Sequence, residues 1–395
     1  KFHLVSIAGA SDLAAKLKNT RLTEEVYKAG GILQVKRTES NRLSDDIVYG
    51  LYSKNLRLSF SGIEEFISCP FKFFIDRGLR VRKNETVEMN PANIGTFIHH
   101  GLERLLSGEF DLEGDISSHI DVISDDYKNS VLKDCTGSSK RWDKLFLRAK
   151  GALDGAANSV VKEIHGSDYT PFDFEIDISR YAPPAKLPGG CTLTLVGSID
   201  RVDMLKCNNG QFAKIIDYKS GGQEFSLKKI YNGLSMQLPI YAGAVKSRYP
   251  DIKIAAMYYL KVGVPDIKLS DKNGIDGEQY LEKTEQYYKR DGIVSAEAAE
   301  TTRLGDGIKT LSKIKKDRLV SDSAISRLID FTQQKIYDTG ASVISGNVSV
   351  SPIDDIGVSA CDWCDYGDIC KISKNPECRR KLQPLPDGFL GEEDL

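Results

Sequence analysis

The sequence lacks several features that would each have settled its class. It has no apolar run of about 18 residues, which excludes a membrane-spanning helix. No charged N-terminal segment leads into an apolar stretch and a cleavage site, so no secretory signal is read and a cytoplasmic location is expected. It has no G-x-x-x-x-G-K-[ST], and therefore no nucleotide-triphosphate phosphate loop of its own. No internal repeat is visible. Neither sign of charge dominates: 54 Lys and Arg against 56 Asp and Glu leave −2. That balance neither demands nor excludes nucleic acid, because a local basic groove binds phosphates on a neutral protein. What is present is 395 residues, 41% hydrophobic and 28% charged. This composition excludes a largely disordered or collagen-like chain, and the length suits roughly two to three structural units. The chain opens at Lys1 rather than Met, which leads to the expectation of a piece of something longer.

Hydrophobic patterning gives the order of elements. Residues 1–57 hold two short helical patterns, 12–18 and 23–28, and a polar stretch, 35–46; they read as a linker or the edge of a preceding domain. Ser61-Gly62-Ile63-Glu64 has the form of a capping box and opens a short helix stopped by Pro70. An aromatic-rich segment, Cys69-Pro70-Phe71 and Phe73-Phe74, follows. Residues 85–93 read as a loop. Residues 95–106 predict a helix with Ile98, Leu102, Leu105 and Leu106 as its apolar stripe, and 117–165 are mostly helical. Residues 172–178 alternate as a strand. Residues 192–204 and 212–219 are two more strands, joined through the hairpin signal Asn208-Asn209-Gly210. A helix over 227–245, a strand over 252–262 and a long amphipathic helix over 320–345 complete an α/β pattern.

Four groups of residues carry chemistry. In Ile215-Ile216-Asp217-Tyr218-Lys219, residues two apart share a strand face, so Asp217 and Lys219 point the same way. A carboxylate there can hold Mg²⁺ and the lysine can orient water; a plain surface ion pair is the alternative. Upstream, Gly197-Ser198-Ile199-Asp200 lies one hairpin away. Counting back from a turn centred near 208.5 places Asp200 opposite Asp217. Two carboxylates at one site repel unless a cation sits between them. At about 100° per helical residue, His99 falls at the edge of the apolar stripe, where it reaches the helix–sheet boundary, while His100 faces solvent. Gln237 and Tyr241, four apart, share a helical face and can both hydrogen-bond a phosphate or a base. Lys140-Arg141-Trp142 with Lys144, and 313–318, are further candidates for phosphate contact.

Taken together, Gly95 to His99 (G-T-x-x-H), Gly197 to Asp200 (G-x-I-D), Asp217 to Gly221 (D-Y-K-S-G) and Gln237 to Tyr241 (Q-x-x-x-Y) resemble, in order, the RecB-type branch of the PD-(D/E)XK nuclease superfamily. The resemblance implies a restriction-endonuclease-like α/β core, a mixed central sheet flanked by helices. It implies His99, Asp200 and Asp217 as Mg²⁺ ligands, assisted by the Tyr218 backbone carbonyl, with Lys219 as the catalytic lysine. It implies Gln237 and Tyr241 as DNA-organising residues.

Three cysteines within ten residues, Cys361, Cys364 and Cys370, favour a metal or cluster site in a reducing compartment. Joined by distant Cys69, they resemble the iron–sulfur staple of AddB-type nuclease subunits and of CRISPR-adaptation exonucleases. By count, four thiolates suit [4Fe–4S] or Zn²⁺. Cys69 and Cys361 are 292 residues apart, so one centre would tie together the two ends of the nuclease. The domain reading is therefore 1–57 linker or edge of a preceding domain, 58–83 and 352–378 the two parts of the staple, 84–351 nuclease core and 379–395 polar tail, with no motif in 263–315. The resemblance implies an Mg-dependent exonuclease that cuts an unwound DNA strand during double-strand-break resection for recombinational repair, with an AddA-type helicase–nuclease partner and no membrane association. The alternatives are a non-catalytic, cluster-stapled DNA-binding subunit and a stand-alone CRISPR-adaptation-type exonuclease.

Overall fold

Alternation along the strands sends Ile215 and Met257 into one hydrophobic core and Ile216 and Tyr258 into another, and helices cover both faces of the sheet. The computed structural model describes residues 41–81, 91–131, 140–208, 210–222, 224–263, 287–288, 290–305 and 318–391. Its N-terminal elements are α1 (Asp45–Tyr52), β1 (Asn55–Ser59), α2 (Phe60–Ser68), α3 (Pro91–Arg104), α4 (Ile116–Ser130) and α5 (Lys140–His165). The strands β2 (Thr170–Asp177), β3 (Ala185–Lys186), β4 (Thr192–Val196), β5 (Ser198–Cys207) and β6 (Gly210–Lys219) follow. Then come α6 (Leu227–Tyr231), α7 (Gln237–Arg248), β7 (Ile252–Lys261), β8 (Arg290–Ser295), β9 (Leu319–Val320), α8 (Asp322–Ile344), β10 (Asp354–Asp355) and β11 (Val358–Ser359). The patterns at 12–18 and 23–28, most of 263–315, and 313–317 lie outside the described residues.

The central sheet runs β2-β5-β6-β7-β8-β9. It is mixed, as expected: β6 with β7 and β8 with β9 are parallel, and the other neighbours are antiparallel. Parallel β6 and β7 need a crossover, which α6 and α7 supply. Residues of α7 and α8 fill one core, and residues of α3, α4 and α5 fill the other. Between sheet and helix lies a buried ionic network. Arg201 meets Asp203 through two bonds of 2.6 and 2.5 Å, and Lys214 stands 3.2 Å from Asp203 and 3.3 Å from Glu163. Arg290 bonds Glu163 at 2.7 Å, as does the Tyr258 hydroxyl at 2.6 Å. Every buried charge here has partners, as such charges require. No helix among the described residues is long and apolar enough to cross a membrane.

The structure corrects several sequence expectations. The single strand over 192–204 is two strands in two sheets. Gly197 has a φ of 139°, which suits glycine, and there the chain leaves the three-stranded sheet β1-β4-β3 for the central one. The helix over 227–245 is likewise two, interrupted by Gly233 at φ 80° and Ser235 at φ 54°. Ser59, not Ser61, caps α2, accepting from the Gly62 amide at 3.1 Å, and Glu64 accepts instead from the amide of Ser235. Residues 45–57 are no linker: Val48 is fully buried and β1 pairs with β4. The tail does not trail free either, because Phe389 packs edge-on against Tyr231 and Phe331 and Leu390 is buried. Asn55-Leu56-Arg57-Leu58-Ser59 does alternate as a short strand, whereas a two-residue anchor is too short for any periodic signal.

Candidate active site

The hairpin register brings the first two acidic residues together. Arg201 lies opposite Ile216, so the next pair along the ladder is Asp200 and Asp217, as the count from the turn predicted. Asp200 is 7% exposed, and its Oδ2 accepts from the Tyr218 amide at 2.6 Å. On α3, Ile98 and Leu102 are fully buried, which leaves His99 at the helix–sheet boundary. Its Nδ1 is 3.6 Å from Asp200 Oδ1 and 3.6 Å from Glu175 Oε1, and its Nε2 is 3.2 Å from the Tyr218 carbonyl oxygen. Among the described residues, His99, Glu175 and Asp200 form the one set of three candidate metal donors lying within 4.8 Å of one another.

Glu175 was not singled out in the sequence. It stands opposite Asp200 on β2, within the antiparallel register that pairs Phe174 with Arg201 and Ile176 with Ile199. Its φ is 43°, a left-handed conformation that a non-glycine residue holds only when its surroundings impose it. The Ser198 hydroxyl donates to its Oε2 at 2.8 Å. Its polar face in the alternating strand was visible, but the long connection between β2 and β5 hid its register with Asp200.

Asp217 is adjacent but turned aside. Its Oδ1 accepts from Gln237 Nε2 at 2.6 Å, and its Oδ2 forms an ion pair with Lys219 Nζ at 2.6 Å. Lys219 also donates to Gln237 Oε1 at 2.7 Å, and its ammonium lies 5.6 Å from the ring centres of both Phe60 and Tyr259. Gln237 is 4% exposed and donates to the Tyr241 hydroxyl at 2.8 Å; Tyr241 is 3% exposed. Both side chains are spent inside the site, holding Asp217 and Lys219, and neither presents a surface to DNA. The Tyr218 hydroxyl points to the opposite layer, where Arg201 lies 3.5 Å away, and its backbone amide and carbonyl face the site.

The electrostatics are those of an acidic site short of positive charge. Burial, then the charge of Asp217, pushes the Asp200 carboxyl up to about 8. Burial likewise raises Asp217, against the pull of Lys219. Burial alone would lower His99, yet Glu175, Asp200 and Asp217 raise it to about 9. A divalent cation among these carboxylates would relieve the repulsion, and oxygen donors with one imidazole suit a hard ion such as Mg²⁺ or Mn²⁺. The site opens into a cavity of about 1040 Å³ that also reaches Gly95, Ser220, Lys229 and Trp363.

The cysteine-bearing segments meet at the end of α2. The Ile353 amide donates to the Ser68 carbonyl at 2.8 Å, the Phe71 amide to Ser349 at 3.1 Å, and Tyr366 bonds Asp76. Burial raises the Cys69 and Cys361 thiols, and both lie near Cys364. None of the four thiols is in a disulfide. No three of them come within 4.8 Å of one another, a wider spacing than the about 3.8 Å that a tetrahedral zinc with 2.3 Å Zn–S bonds sets between its sulfurs. Of the basic candidates, Trp142 is buried and stacks on Phe146, and Arg318 is held by Asp291.

A mixed sheet presenting acid, acid and lysine from one hairpin, capped by a histidine helix, defines a nuclease class, and the sequence matches that class over residues 57–371. The chain belongs to the PD-(D/E)XK nuclease superfamily. More particularly, it is similar to the B subunit of the ATP-dependent helicase/deoxyribonuclease of Ruminiclostridium cellulolyticum, 29% identical over 82% of this chain and 30% of that protein. It is 29% identical to the like-named protein of Clostridioides difficile over 84% of this chain and 31% of that one. It is 28% identical to that of Clostridium botulinum over 85% of this chain and 32% of that one. The chain thus spans about a third of the length of these relatives.

Proposed function

We propose that this region is the nuclease of a helicase–nuclease subunit, a Mg²⁺-dependent exonuclease that hydrolyses phosphodiester bonds of an unwound DNA strand during break resection, alongside an AddA-type partner in the cytoplasm. The observation that carries the reading is the convergence of His99, Asp200, Glu175 and Asp217 beside Lys219. His99, Asp200 and Glu175 would hold the cation, with Asp217 and the Tyr218 carbonyl next to them. A bound divalent ion supplies Lewis acidity for water and for the charge that builds on phosphate. The chain's own groups do the rest. Lys219, fixed by Asp217 and Gln237, aims an ammonium at the developing phosphate charge or holds the attacking water. Gln237 and Tyr241 act as positioning residues, keeping Asp217 and Lys219 in place.

Cys69, Cys361, Cys364 and Cys370 are assigned to a [4Fe–4S] cluster that joins the two ends of the region. The meeting of both segments supports a centre shared between them, and four thiolates of this kind suit a cluster, with zinc as the alternative. On this reading the nuclease core lies between those two cysteine segments.

The test is cleavage of end-labelled linear single-stranded DNA by the complete protein with its partner, with Mg²⁺ and with chelator. Asp217→Ala and Lys219→Ala should each cost at least about a hundredfold in rate. DNA binding with no cleavage by the wild-type protein would overturn the reading in favour of a non-catalytic role.

A further inference from the structure

Single apolar side chains open to water are common on protein surfaces, so the 92% exposure of Trp363 matters because of where it stands. It sits between Cys361 and Cys364, and it lines the same cavity as His99, Glu175 and Lys219. Its loop is well anchored: the Cys361 amide donates to Ser359 Oγ at 3.3 Å, the Cys364 amide to the Cys361 carbonyl at 3.2 Å, and Tyr366 to Asp76. On an anchored loop, little backbone freedom is lost when a flat partner lands on the indole. Its lining neighbours are mixed, Ser359 and Asp362 beside Val358, with Ile356 also exposed next to them, and the indole is the aromatic among them.

We propose that Trp363 is a stacking platform for an unpaired base of the strand entering the site, so that the cysteine loop forms one wall of the nucleic-acid channel. The proposal rests on the nuclease reading for its ligand. A cavity of about 1040 Å³ is far larger than a phosphate group needs, and a nucleotide brings a base that must go somewhere. Stacking on an aromatic accepts any base, so such a platform needs no particular sequence in the strand.

The experiment uses the complete protein, purified anaerobically, as wild type, Trp363→Ala and Trp363→Phe. Affinity for a labelled single-stranded oligonucleotide is measured without divalent ion, and for a series in which one abasic site is moved along the strand. Trp363→Ala should weaken binding by roughly 5- to 150-fold, and Trp363→Phe should recover most of it. At one abasic position, wild type and Trp363→Ala should bind equally, because the stacking partner is gone. Equal loss by Trp363→Ala on every abasic strand, or no loss on intact DNA, overturns the proposal. Unchanged DNA affinity with weakened association of the helicase partner, read by gel filtration, overturns it in favour of a protein contact. Failure of the wild type to cleave would strike the nuclease reading alone, since stacking is read from binding.

Discussion

Asp200 and Asp217 face each other across a hairpin in a place that water barely reaches, and the cost of two charges there explains the rest of the site at the scale of single residues. Burial raises both carboxyls, and His99 answers by gaining proton affinity. Glu175 adds a further carboxylate with a strained backbone, which is the signature of a residue held for its side chain. Glu175→Gln preserves the shape and the bond from Ser198 but removes the charge. It should weaken Mn²⁺ binding by at least about tenfold in calorimetric titration; unchanged affinity would remove Glu175 from the donor set. Its contribution was illegible in the sequence because no short turn ties β2 to β5, whereas the Asn-Gly turn made the Asp200–Asp217 pairing countable.

Among elements, the sheet is held by close approach as much as by hydrogen bonds. Gly292 on β8 is packed so tightly against β7 that a Cβ would fall 2.0 Å from the Met257 carbonyl oxygen. Gly292→Ala therefore has nowhere to put its methyl and should lower the midpoint of thermal unfolding by many degrees or leave the protein insoluble. A variant melting like the wild type would mean the two strands are not in this register. The ionic network between α5 and the sheet makes a pH prediction. Burial would raise Glu163, but the charges of Arg290, Lys214 and Arg201 bring it down to about 2, below its ordinary 4.5. A lowered carboxyl contributes stability above its unfolded value and loses it as pH falls from about 4.5 toward 2. Melts taken across that window should show wild type falling more steeply than Glu163→Gln, a variant that is itself weaker at neutral pH because Arg290 and Lys214 each lose one carboxylate partner. Parallel slopes would contradict the network. None of these pairings was readable beforehand, since Glu163 and Lys214 are 51 residues apart.

At the scale of the whole molecule, the segments around Cys69 and Cys361 close a loop of 292 residues. A centre bound there stabilises on the order of a long-loop cross-link, several kcal/mol. Cys364→Ser should remove the broad absorption of a cluster near roughly 400 nm and its iron and sulfide. It should also expose the segment 349–380 to proteolysis, because it is then held only by hydrogen bonds such as those of Ser349, Ile353 and Arg380 near the end of α2 and of Tyr366 to Asp76. A variant with wild-type protease resistance would separate the cysteines from the closure of the fold. Loss of zinc in place of iron would change the identity of the centre but not its place.

The sequence by itself determined what is local or countable: the alternation of β6, the hairpin that faces Asp200 with Asp217, the helical stripe that sets His99 at an edge, and a cysteine trio too dense to be core packing. Only the tertiary structure decided what depends on contacts between distant segments. It split 192–204 between two sheets at Gly197, brought Glu175 into the donor set, drew Gln237 and Tyr241 inward to serve Asp217 and Lys219, and stood Trp363 at the cavity mouth. Periodicity reports which way a side chain points within its own element; what it meets there is set by how the elements pack.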